Sequence, residues 1–96
     1  MRGRQRRTLD DLLREADLRE NDGIFLRATA LWKWALWLEP KRTELHERLA
    51  STYERMDLRI EAREHLRKAA SHYTILGDVD RLVRTMERLQ VLSPGK

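Results

Sequence analysis

Ile24 to Leu38 reads IFLRATALWKWALWL, and twelve of these fifteen residues are apolar, three of them tryptophan. Placed at about 100° per residue, Leu38, Leu31, Ile24, Ala35, Ala28, Trp32, Phe25 and Leu36 share one arc of roughly 160°. An arc that wide is the core side of a helix packed against two neighbours. Thr29 and Lys33 interrupt it and Arg27 closes the far side. Between them, Leu26, Ala30, Trp34 and Trp37 form a second apolar stripe. One helix therefore carries two faces that avoid water. The first fits inside a small helical domain, and the second calls for a cover.

Working outward, Thr8 can cap a preceding helix with Asp10 and Asp11 in its positive first turn, followed by Leu9, Leu12, Leu13 and Ala16 at helical spacing. Asn21-Asp22-Gly23 ends that helix, and Glu39-Pro40 closes the next. Thr43 opens a third carrying Leu45, Leu49, Tyr53 and Met56. Asp57 is placed to cap a fourth with Ile60, Ala62, Leu66, Ala69, Ala70 and Tyr73. Gly77-Asp78 breaks the chain and caps a fifth, lined by Val79, Leu82, Val83, Met86, Leu89 and Leu92 before Ser93-Pro94. The expectation is an all-α fold of about five helices, antiparallel because the connecting turns are short.

Composition agrees with one helical domain. The 96 residues are 38% charged and 41% hydrophobic, and four glycines with two prolines are too few for a turn-rich β fold. Cysteine is absent, which removes disulfides and thiol chemistry. No apolar run reaches the roughly 18 residues of a membrane span, and no h-region follows the N-terminal arginines, so a cytoplasmic location away from membranes is expected. The net charge of +4 resides in Arg2, Arg4, Arg6 and Arg7; from Thr8 onward basic and acidic residues balance. Residues 1–7, MRGRQRR, read as a basic arm, and residues 8–96 as the domain.

A shift of 34 residues lays Ala16 on Ala50, Gly23 on Asp57, Ala28 on Ala62, Trp32 on Leu66 and Ala35 on Ala69. With Leu12, Phe25 and Pro40 in the first unit and Leu49 and Tyr53 in the second, the chain resembles the tetratricopeptide repeat (TPR) family. The resemblance covers Leu9 to about Tyr73 and implies an α-solenoid of two units. Thr74 stands where the family has proline after the second unit, so the fourth helix should run on to Leu76. The fifth then reads as a capping helix that shares its partner. Asp11, Glu15 and Asp22 match Leu45, Leu49 and Met56 one period later, where family members meet the preceding repeat. Acidic residues there imply that Thr8 opens a true end of the solenoid.

Catalytic chemistry finds little support. His46, His65 and His72 read as isolated, the last two standing seven residues apart and roughly 10 Å along one helix, too far to share a metal. No P-loop, GxGxxG or HExxH motif occurs. No catalytic residue, metal or cofactor is expected. The resemblance implies a concave groove on the first helix of each pair, with Leu13, Asp17 and Glu20 from one unit and Glu47, Ser51 and Glu54 from the other. Such an acidic groove suits a basic or mixed peptide. The convex stripe Leu26, Ala30, Trp34 and Trp37 corresponds to Ile60, Glu64, Lys68 and Ser71 in the second unit. Its apolar character points to self-association as a homodimer or higher homo-oligomer. The expected function is a non-enzymatic protein–protein interaction module, an adaptor or assembly domain. The alternative is a nucleic-acid-binding helper using the Arg-rich arm, against which the neutral body and acidic groove argue.

Overall fold

The computed structural model describes residues 8–93, and the basic arm at 1–7 and Pro94 lie outside the described residues. The fold is all-α. Five helices follow one another, α1 Leu9–Asn21, α2 Phe25–Leu38, α3 Glu44–Arg55, α4 Arg59–Leu76 and α5 Val79–Leu92, with no strand among the described residues. Each packs mainly on the helix next to it in sequence.

Local chemistry sets most boundaries. Thr8 and Asp11 form a reciprocal capping box, in which Asp11 N–H donates to Thr8 Oγ1 at 3.1 Å and Thr8 N–H donates to Asp11 Oδ2 at 3.2 Å. Asp78 caps α5 by accepting from Arg81 N–H. Thr43 opens α3 from the N-cap position as expected, with its hydroxyl engaged with His72 and not with the helix start. Asp57 sits one residue too early to cap α4, at φ +61°, and Leu58 takes the cap position without a side-chain bond.

Asp57 belongs to a turn that recurs. Gly23, Asp57 and Gly77 occupy the left-handed region at φ +78°, +61° and +73°. Their N–H groups bond the carbonyls of Glu20, Glu54 and Thr74, and the next residues' N–H groups bond those of Arg19, Tyr53 and Tyr73. Three helices thus end in the same Schellman-type closure, which satisfies two orphan carbonyls each time and turns the chain directly into the next helix. Glycine meets that backbone requirement without strain in two of them, and aspartate, one of the few side chains that tolerates it, in the third.

The core is read off the 34-residue register. Ala16, Ala50, Ala28, Ala62, Ala35 and Ala69 are all fully buried, as are Leu66 and, at 2% exposure, Trp32. The alanines let helix axes approach, while Trp32 and Leu66 fill the space between. Leu12, Leu45 and Leu49 complete this core, with Leu9, Leu13, Leu36, Met56 and Leu89 packed against it. The predicted arc on α2 is narrower than drawn. Ala28, Leu31, Trp32 and Ala35 are buried, but Ile24 and Leu38 are exposed at its edges. Thr29 is buried where it was expected to break the face, because its hydroxyl returns to Leu26 O at 2.8 Å. Ile60 stands exposed, since α4 meets its neighbours through the alanine side. On α5 Thr85 and Leu92 are buried and Leu82 and Leu89 partly so, while Val79, Val83 and Met86 face outward.

Side-chain bonds join alternate helices. Asp17 and Glu20 of α1 reach Arg48, Thr52 and Arg55 of α3, and Arg88 of α5 reaches Ser51 and Glu54 of α3. Helices α1, α3 and α5 therefore lie in one row, and α2 and α4 flank a groove away from it.

The shared turn predicts opposite responses to substitution. Gly23→Ala and Gly77→Ala should each destabilise by about 1 kcal/mol, because a Cβ disfavours φ near +75°. Asp57→Gly should be neutral or stabilising by up to about 1 kcal/mol. Urea unfolding followed by far-UV circular dichroism checks all three, and a clear loss of stability in Asp57→Gly would contradict the account.

Candidate functional site

Glu20 is 6% exposed and sits where α1, α2 and α3 meet. Thr52 Oγ1 donates to its Oε1 at 2.8 Å and Trp32 Nε1 at 3.3 Å, and Arg55 reaches its Oε2 at 3.2 Å. A buried carboxylate is tolerated only with such partners. The guanidinium of Arg48 lies 4.5 Å from the centroid of the Trp32 ring, and that of Arg55 lies 4.9 Å from that of Phe25. These arginines cover aromatic faces and neutralise acids at once.

That arrangement removes the acidic groove anticipated from the resemblance. Leu13 packs against the core. Asp17 pairs with Arg48, and Glu20 is a buried hub. Glu47 accepts from the Tyr73 hydroxyl at 3.0 Å. Ser51 and Glu54 are held by Arg88 at 3.1 and 3.4 Å. Each of these polar side chains is engaged by a neighbouring helix, so the row presents paired charges in place of an acidic trough. Alignment placed the acids on this row, but the arginines that answer them come from Arg48, Arg55 and Arg88, whose partners lie more than thirty residues away in sequence.

The side chains of the expected convex stripe are exposed among the described residues. Leu26 is 76% exposed, Trp37 79% and Trp34 44%, and Ala30 is exposed between them. Among the described residues, the helices packed substantially on α2 are α1 and α3.

The three histidines are not isolated. His46 of α3 lies between two rings of α4, 5.2 Å from the centroid of His65 and 5.4 Å from that of His72. Its Nδ1 is 3.0 Å from Nδ1 of His65, and His72 Nδ1 is 3.2 Å from Thr43 Oγ1. Two Nδ1 atoms at that distance hold a single proton between them, one ring donating and the other accepting. Tyr53 stacks on His65 at 5.7 Å, and the Lys33 ammonium lies 5.8 Å from the Tyr53 centroid. Burial, then the neighbouring His65, His72 and Lys68, push His46 down to about 4. Burial, then Lys68 and Lys33, also lower His65 against a small opposing effect of Glu64. Sequence spacing showed His65 and His72 on one helix face; the hairpin of α3 on α4 inserts His46 between them. No group of three or more His, Cys, Asp or Glu side chains is arranged to hold a metal among the described residues, and no described helix is long and apolar enough to cross a membrane. No protein-family model matches this chain, and no curated protein matches it significantly.

Two stability predictions follow from these contacts. Glu20→Ala should cost about 2–4 kcal/mol, since it strands the Trp32 N–H and removes the carboxylate that Arg55 meets, whereas Glu54→Ala on the partly exposed Arg88 pair should cost about 1 kcal/mol or less. Comparable losses in a urea titration would overturn the ranking. For His46, the unfolded side chain takes a proton near 6.5 and the folded one only near 4. The unfolded state therefore binds more protons in that window, and stability falls as pH drops from 6.5 toward 4. Through a partly solvated groove the loss is on the order of 1–2 kcal/mol. Urea midpoints at pH 7.5, 6.5 and 5.5 should show a shallower decline in His46→Gln than in the parent chain.

Proposed function

We propose that this chain is a TPR-like helical interaction module without enzymatic activity, and that it assembles with a second copy of itself through the outward stripe of α2. The solenoid reading is supported by the turn shared at Gly23, Asp57 and Gly77, by the matching burial of Ala16 with Ala50, Ala28 with Ala62, Trp32 with Leu66 and Ala35 with Ala69, and by the row of α1, α3 and α5. The assembly reading is carried by one observation. Trp37 is 79% exposed and Leu26 76% on a helix whose opposite side is already committed to the core. The positions matching Ala30, Trp34 and Trp37 one period later are Glu64, Lys68 and Ser71.

The stripe suits its own copy. An antiparallel crossing of two α2 helices about the midpoint of residues 30 and 34 sets Ala30 opposite the partner's Trp34 and brings Leu26 within one residue of the partner's Trp37. The small Ala30 then leaves room for the indole of Trp34 in a two-fold contact. The apolar surface withdrawn is on the order of 400 Å² per copy, below the roughly 800 Å² per partner of a standard interface. The dimer is therefore concentration-dependent, with the Arg27–Glu15 pair beside Leu26 and Trp34 at its edge.

Sedimentation equilibrium provides the test. The mass should rise from 11.5 kDa toward twice that value as concentration increases. Leu26→Glu with Trp37→Glu should hold it at the monomer value with helical content unchanged. A parent chain that stays monomeric at millimolar concentration, or a double variant that associates equally well, would sink the proposal.

A further inference from the structure

Arg14, Arg19, Arg27, Arg48, Arg55, Arg81 and Arg88 each lie within ion-pair distance of a carboxylate, whereas Arg42, Arg59, Arg63, Arg67 and Arg84 have no ion-pair partner among the described residues and line neither part of the groove described next. Lys33, Lys41 and Lys68, three of only four lysines in the chain, have no such partner among the described residues. All three line one groove. Its larger part, about 600 Å³, lies between α2 and α4 and is walled by Lys33, Trp37, Pro40 and Lys68 over the three histidines. A smaller part, about 360 Å³, continues past His72 to Lys41, Ile75 and Leu76. No carboxylate lines either part.

We propose that this groove binds an acidic peptide segment of a protein partner. An excess of unpaired ammonium groups along a depression with low-dielectric walls concentrates negative charge there, and the exposed faces of Trp37, Ile75 and Leu76 add apolar contact. From Lys68 to Leu76 the helix rises about 12 Å, the reach of roughly four extended residues. One helical turn separates Lys68 from His72, about 6 Å, which matches the spacing of alternate side chains in an extended peptide. The cations are single-point donors. Phosphate recognition favours the forked guanidinium, yet none of the described arginines lines the groove. Carboxylates met one at a time by lysine, with leucine-sized side chains between them, fit this surface better than a nucleic-acid backbone. This site is separate from the α2 stripe apart from the rim residue Trp37, and it does not depend on self-association.

Fluorescence anisotropy with a labelled decapeptide of glutamates interrupted by leucines tests the proposal on the full chain. The peptide should bind, and binding should weaken about tenfold or more in Lys33→Glu with Lys68→Glu, two exposed positions whose exchange leaves the core intact. Replacing Arg2, Arg4, Arg6 and Arg7 by Gln should leave the affinity within about twofold. Sedimentation of the lysine variant at the same concentration should match the parent, which separates failure here from failure of the dimer. Unchanged affinity after lysine reversal, loss of binding on replacing the four arginines, or equal lysine-dependent binding of a ten-residue thymidine oligonucleotide would each overturn it.

Discussion

The buried carboxylate of Glu20 is the constraint around which the domain closes. It lies at the only point where the first three helices meet, and it accepts from the indole of the largest core side chain, from a hydroxyl of α3 and from an arginine of the same helix. Apolar packing between helices is tolerant of sliding, because dispersion and water exclusion have little directional preference. A charged acceptor that must be fully satisfied is not tolerant, since any displacement leaves Trp32, Thr52 or the carboxylate itself unpartnered away from water. Glu20 therefore selects one register of α1 against α3, while the alanines around it set how closely the helices approach.

The chain uses one device to connect most of its helices. The closure at Gly23, Asp57 and Gly77 satisfies the same pair of carbonyls and exits at nearly the same backbone angles, so successive hairpins have similar geometry. The link from α2 to α3 differs, passing through a turn at Pro40 and Lys41 in which Arg42 N–H donates to Glu39 O. Its consequence reaches the surface. It sets α3 behind α2 and α4, brings His46 up between His65 and His72, and leaves the groove walled by Lys33, Trp37 and Lys68. Acids and arginines gather on the opposite row and cancel one another there.

Helix identity, order and most ends were legible because each rests on neighbours in sequence. The Thr8 capping box, the glycines at 23 and 77, the run of α4 to Leu76 and the inward side of α2 all follow from spacing within about four residues. Asp57 was misassigned for a related reason. Aspartate favours helix starts, but one residue of offset turned it into the left-handed closure of the preceding helix. Thr29 misled because a hydroxyl reads as polar until its backbone acceptor is seen. The solvent-facing stripe of α2 was legible as well, since apolar residues on both sides of a helix cannot all be buried by two neighbours.

What the sequence determined alone is an all-α chain of five helices with one helix apolar on two sides, because helical periodicity, caps and breakers act over a turn or two of chain. The tertiary structure decided which charges are spoken for and which are not. Asp17, Glu20, Glu47 and Glu54 look like a free acidic face in one dimension and are satisfied in three, while Lys33, Lys41 and Lys68 lie far apart in sequence and share one groove. Pairing of this kind depends on which side chains come within a few ångströms after the helices pack, and no local pattern encodes that distance.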